Sequence, residues 1–256
     1  MDQQPTLTPA STPDIPRKRP ELPAWTFQVV DACDVKPKLR RVRFTTEAIE
    51  TFQYKPGQDV VLFLPLESGE LGRRHYTIRS VDRTEGTIAI DFVMHGETPG
   101  PHFARHCKAG DTVAVKGPRG RIVFNPDADW HLFTGDETCL PAIYHILETM
   151  PADKPAYLFL EIQGKDDEDT IVTQADASIE WLHRGAAHPG PSRIVLDRIS
   201  AFDLPEGKGH AYIIGETSNV RAQRHHLISR GMSREQISSE GYWRPGRNGG
   251  HDHVDD

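Results

Sequence analysis

Apolar positions change their spacing part-way along the chain, and the change divides it into two kinds of structure. From Trp25 to about Phe124 they come in short runs, "WTFQVVD", "LRRVRFTT", "DVVLFLP", "RHYTIRS", "TIAIDFVM" and "TVAVKGP", each bounded by Pro, Gly or Asp. In "TIAIDFVM", Ile88, Ile90, Phe92 and Met94 alternate strictly and share one face of a strand. Pro56-Gly57 and Glu85-Gly86 are turn signals between runs. Six short strands with such breaks predict a small antiparallel barrel. After Trp130 the apolar runs "HLFTG", "AYLFLEI", "RIVL" and "HAYIIG" read as strands. They alternate with "CLPAIYHILETM", "DASIEWLHR" and "NVRAQRHHLISR", which read as helices. Such alternation predicts a parallel sheet with helices on its faces.

The boundary is expected near residues 127–129. Residues 22–127 form the barrel and 128–247 the α/β part. The first 21 residues carry Pro5, Pro9, Pro13, Pro16 and Pro20 with almost no large apolar groups, and residues 248–256 hold His251, His253 and three aspartates. Neither stretch can bury enough apolar surface to offset the entropy of ordering, so both are expected to be disordered.

A formal charge of -7 argues against a broad basic face for nucleic acid. No apolar run is long enough for a bilayer span or a signal peptide. Cys33, Cys107 and Cys139 are odd in number and far apart, which suits a reduced, cytoplasmic protein. A monomer is the working expectation. His102, His106 and Cys107, with His95 upstream, have the spacing of surface histidines more than of a metal site, and no metal is expected.

Against this acidic background, "GRRHYTIRS" concentrates Arg73, Arg74 and Arg79 on a strand. A planar guanidinium can fork onto a diphosphate, and Tyr76, two residues on, shares the face of Arg74. A solvated arginine face on an edge strand reads equally well from these residues alone. The turn Thr98-Pro99-Gly100-Pro101 feeds a short helical stretch whose N-terminal N–H groups would form a second anion site. In the second half "FTGDET" and "IIGETS" each close an apolar strand with Gly, an acid and a Thr placed to cap a helix. Both are expected to line a crevice beyond the carboxyl ends of the strands. The chain has no GxGxxG fingerprint.

The order "YKPGQ … RRHYTIRS … DFVMHG … AGD" resembles the flavin-binding barrel of the ferredoxin-NADP reductase-like superfamily. Within it, "GDETCLPAIYHILE", "GETSNVRAQRHHL" and "GYWRPG" resemble the siderophore-interacting proteins, a family of ferric-siderophore reductases. The resemblance implies an FAD-binding barrel followed by a nicotinamide-binding α/β domain. It implies that Arg74 binds the FAD diphosphate, Tyr76 the flavin moiety, and that Thr77 lies near flavin N5. His75, Asp91, Val93, His95, Gly96, Thr98, Pro99, Gly100 and Pro101 join the cofactor set. Gly135, Asp136, Glu137 and Thr138 are placed toward flavin and nicotinamide. Phe103 and Cys139 stand where family members commonly carry Trp and Ala.

The implied activity moves electrons from NADH or NADPH, or from a reduced carrier, through FAD to a ferric siderophore. No side chain is needed as general acid or nucleophile. Lys55, Arg119 and Arg244 are expected to guide an anionic substrate, and Arg221 and Arg224 either meet a 2′-phosphate or face water. Two rivals share the barrel: a reductase of a flavodoxin or ferredoxin carrier, and a non-catalytic flavin or siderophore binder. The first should end in an aromatic residue stacked on flavin, whereas this chain ends "HDHVDD".

Overall fold

The structure, a computed structural model, describes residues 21–94, 96–247 and 252–254. The expected N-terminal arm lies outside the described residues except for Glu21.

Strands β1 (Ala24–Lys36), β2 (Leu39–Thr45), β3 (Asp59–Pro65), β4 (Leu71–Thr77), β5 (Ser80–Asp82), β6 (Thr87–Val93) and β7 (Thr112–Arg119) form one antiparallel sheet in the order β4-β3-β7-β1-β2-β6-β5. It has seven strands where the run pattern predicts six. "RHYTIRS" breaks at Ile78-Arg79, and its last residues pair with β6 as β5. That break closes the sheet. β4 and β5 are its two edges, yet they are separated by two residues of chain, so the sheet must curl until its edges meet. Phe27, Val42, Phe44, Leu62, Leu64, Ile88, Ile90 and Phe92 fill the interior. Helix α1 (Pro99–His106) closes one side through Phe103 and Ala104.

The second sheet runs β10 (Asp176–His183), β9 (Pro155–Ile162), β8 (Trp130–Asp136), β11 (Gly209–Glu216) and β12 (Ile237–Trp243), all parallel. Helix α2 (Leu140–Leu147) covers one face, and α3 (Ile194–Ser200) and α4 (Thr217–Ser229) the other. Every residue of α2 is buried, as befits a helix packed on two sides. On the barrel side, His145 Nδ1 lies 2.7 Å from Ile78 O, and Arg79 forks onto Glu148 at 2.8 and 2.6 Å.

Three expectations are corrected here. "DASIEWLHR" is strand β10 rather than a helix: Ala177, Ile179 and Trp181 alternate against one face while Leu182 packs on the other. "RIVL" belongs to helix α3, where the buried residues Val195 and Ile199 stand four apart. In the tail, Asp252–His253 forms β13, antiparallel to Glu240–Gly241 of β12, and Val254 is 1% exposed in the core beneath α4. One well-placed valine and a free sheet edge order these residues despite their polar neighbours. No helix among the described residues is long and apolar enough to cross a membrane.

Candidate functional site

A cavity of about 790 Å³ opens between the two sheets, within the usual range of ligand pockets. Its barrel wall is β4 and the end of β6: Arg74, His75, Tyr76, Thr77, Asp91 and Val93. Neighbouring arginines are neutralised within the protein. Arg41 forks onto Asp91 at 2.7 and 2.8 Å, Arg43 pairs with Asp31, and Arg79 pairs with Glu148. Arg74 has no carboxylate partner among the described residues; its Nη1 donates only to the Arg73 carbonyl at 2.9 Å. Arg73 faces solvent. Arg74 thus keeps a charge and most of its donors for the cavity.

Tyr76 packs on Phe92 with ring centroids 4.2 Å apart. Its hydroxyl fills the space over Gly100, where a Cβ would stand 1.7 Å from Tyr76 Oη. Gly100 therefore permits the close approach of α1 to β4. Burial pushes the Tyr76 phenol well up from its usual value, so it acts as a neutral hydrogen-bonding group. His75 Nδ1 lies 2.8 Å from Asp59 Oδ2 and 3.0 Å from Arg119 Nη1, which fixes the imidazole on the barrel.

The opposite wall comes from the second sheet: Glu137, Thr138, Leu140, Pro141 and Tyr144 after β8, Arg184 after β10, and Tyr242, Trp243 and Arg244 at the end of β12. Tyr242 is hydrogen-bonded to Thr77 and so joins the two walls, as do Lys38 with Gln163 and Lys36 with Asp169. Asp136 is the hub behind this wall. Its Oδ1 accepts from Thr138 N at 2.9 Å, and its Oδ2 accepts from Glu216 N at 3.0 Å and Trp243 Nε1 at 2.9 Å. Burial raises the Asp136 pKa, while these bonds pull it back down.

The expected threonine caps are corrected by the same geometry. Glu216 caps α4 by accepting from Ser218 N and Asn219 N, both at 2.9 Å, whereas α2 has Cys139 at its N-cap position with no side-chain cap, and the Asp136 side chain holds only Thr138 in the turn before it. Carboxylates outcompete hydroxyls for these N–H groups because the bond is charge-assisted. Thr138 lines the cavity while its Oγ1 donates to Asp136 Oδ1.

Of the residues predicted from sequence, Arg74, His75, Tyr76, Thr77, Asp91, Val93, Thr98, Glu137, Thr138 and Arg244 converge on this cavity. Gly96, Pro99, Gly100 and Pro101 do not line it, though Gly100 packs against Tyr76 of the wall, and His95 lies outside the described residues. Gly135 is structural, since a Cβ there would meet Cys139 Sγ at 2.2 Å and Ile214 O at 2.6 Å. Lys55 is exposed elsewhere, and Arg119 sits by Asp59 at 3.9 Å and Glu240 at 4.0 Å, off the cavity. Neither Arg221 nor Arg224 reaches the cavity; Arg224 is buried on α4. Sequence reasoning missed Lys36, Lys38, Arg184, Tyr242, Trp243 and Arg247. Only "GYWRPG" carried a signal for any of them.

Comparison with known proteins bears on the family and the fold. Residues 128–246 match the model of siderophore-interacting proteins, and residues 67–122 that of the siderophore-interacting FAD-binding domain. The chain belongs to the siderophore-interacting protein family. A siderophore utilization protein from T. fusca superposes with a TM-score of 0.82 at 29% identity, covering 91% of this chain and 98% of that one. The ferric vibriobactin reductase ViuB of Vibrio cholerae is 34% identical over 179 residues, 68% of this chain and 65% of ViuB. The NADPH-dependent ferric-chelate reductase of Escherichia coli is 27% identical over 165 residues, 63% of each. The chain thus spans a little under two thirds of these curated relatives.

As a siderophore-interacting protein, it has a cavity whose residues fit a flavin dinucleotide. An arginine without an internal counter-ion suits a diphosphate. Beside it stand an aromatic ring, a 98–106 turn and helix, and the Thr77–Tyr242 hydroxyl pair.

Proposed function

We propose that this chain is an FAD-dependent ferric-siderophore reductase that draws electrons from a reduced nicotinamide dinucleotide and releases iron as Fe(II) in the cytoplasm. The observation that carries this reading is that one cavity joins the uncompensated Arg74 and the Tyr76–Thr77 pair of the barrel to Thr138 and Tyr242 of the α/β sheet. Cofactor and donor surfaces thus meet at one place.

The residues divide the work. Arg74 donates to the diphosphate, and Tyr76 packs beside the ring system on its Phe92 support. Thr77, buried, and Tyr242, half-buried, present hydroxyls rather than charges, and desolvation holds the Tyr242 phenol far above its usual pKa. A flavin held there would supply the conversion between the two-electron chemistry of a nicotinamide and the one-electron chemistry of Fe(III). Thr138, backed by Asp136 and Trp243, shapes the approach from the α/β side. Arg244 and Arg247 at the mouth attract an anionic ferric chelate. Lys55 and Arg119 are proposed only as a more distant part of that field. Residues 22–127 and 128–247 are read as the two domains.

The test is anaerobic stopped-flow of the flavin-loaded protein, first with NADH or NADPH, then with a ferric siderophore and an Fe(II) chelator. Bleaching followed by re-oxidation with Fe(II) capture is expected. Bleaching without transfer to ferric chelate, but with transfer to a flavodoxin or ferredoxin, would replace the substrate assignment. Flavin that neither dinucleotide bleaches would leave only a binding protein.

A further inference from the structure

The strand order places β13 on the outer edge of the α/β sheet, where it ends beside the cavity mouth. Three contacts fix it there: the pairing with Glu240 and Gly241, the Ser239 Oγ donation to Val254 O at 2.8 Å, and the burial of Val254. This anchoring aims Asp252 inward. Its Oδ2 lies 3.0 Å from Thr217 Oγ1 and 3.8 Å from Arg244 Nε, and its Oδ1 binds Arg247 Nη1. Arg244 and Arg247 line the mouth of the cavity. The carboxylate of Asp252, the first residue of β13, therefore occupies the two arginines that would otherwise greet an anionic ligand.

We infer that β13 is a counter-ion strap: Asp252 competes with anionic ferric chelates for Arg244 and Arg247 and so lowers the affinity of the cavity mouth for them. The inference rests on the proposed reading that such chelates enter there. The strap screens weakly bound anions while leaving a chelate of several negative charges able to displace one carboxylate. It adds charge selectivity that the cavity walls alone do not provide. Arg244 and Asp252 are 53% and 21% exposed at their side chains, so the competition belongs to the modest range of half-solvated pairs.

The test uses the flavin-loaded full chain and calorimetric titration with two probes, an anionic ferric tris-catecholate and a ferric tris-hydroxamate made cationic by a pendant ammonium group. Asp252→Asn keeps the shape and the contact with Thr217 but removes the charge. It should bind the anionic probe about three- to tenfold more tightly and the cationic probe no better. Asp252→Glu, which keeps the charge, should show little gain, and adding Arg244→Ala to Asp252→Asn should cancel most of it. Equal affinity of wild type and Asp252→Asn for the anionic probe overturns the strap while leaving the proposed function standing. An equal gain for both probes also overturns it. Failure of both proteins to bind either probe sinks the strap and the substrate assignment together.

Discussion

The packing of Tyr76 over Gly100 sets up a sharp test of the barrel wall. In Gly100→Ala the new Cβ would lie 1.7 Å from Tyr76 Oη, 2.8 Å from Cζ and 3.2 Å from Cε2. Carbon contacts settle at about 3.5–4.0 Å, so the hydroxyl must move by roughly 1.5–2 Å. The ring has little room to retreat, because it rests 4.2 Å from Phe92, which is fully buried. Overpacking of this kind costs about 1–3 kcal/mol. Gly100 is the second residue of α1, and Ala there returns about 1 kcal/mol of helix propensity. The net loss should be about 0–2 kcal/mol, and at roughly 2–4 °C per kcal/mol the unfolding temperature should fall by up to about 8 °C. Flavin affinity is the more telling readout, since the displaced phenol leaves its place on the cavity wall; a fall of about tenfold is expected. Calorimetric scans of the flavin-free chain and a fluorescence titration with FAD measure the two effects separately. Tyr76→Phe in the same background removes the worst overlap and should recover part of the lost stability. A Gly100→Ala protein with unchanged FAD affinity would refute the placement of Tyr76 in the binding wall.

Other outcomes follow from the same geometry. Arg74→Ala should weaken FAD binding by about ten- to a hundredfold, the worth of a charge-assisted bond to a diphosphate, and a variant purified with full flavin content would remove Arg74 from that role. His131 and His210, cross-strand partners on β8 and β11, are held by burial at pKa values of about 4. Folded, they bind fewer protons than the unfolded chain, so stability is fully present above pH 6.5 and is lost as pH falls toward 4, by about 3 kcal/mol per histidine. Urea midpoints measured from pH 7 to 5 should decline, and less steeply in His131→Phe; a flat profile contradicts this. Gly135→Ala should lower stability by several kcal/mol, because one of the clashing atoms is the backbone oxygen of Ile214, which cannot swing aside. Chemical denaturation of that variant provides the check.

How much of this was readable in advance depends on what each residue answers to. β3, β6, β8, β9 and β11 carry apolar runs dense enough to declare themselves, and Arg74-x-Tyr76-Thr77 stands on one strand, so its convergence needs only a period of two. β10 and α3 were exchanged because both are short and half-exposed, and their apolar residues suit either period until a neighbour selects one. β5 has three residues and exists only because the barrel must close. Lys36, Lys38, Arg184 and Arg247 reach the cavity through the assembly of two sheets, a relation with no local imprint. Glu216 was visible as a residue, but the choice between acid and threonine as the cap of α4 was decided by backbone geometry at the strand end.

The cavity draws its walls from Lys36 near one end of the described chain and from Arg247 near the other. The complete set of walls therefore exists only once the last parallel strand is in place. Occupancy then welds both halves into one thermodynamic unit, adding about 2.7 kcal/mol when free ligand stands a hundredfold above its dissociation constant. Vitamin supply in the cell would thereby govern the protein's turnover as well as its colour.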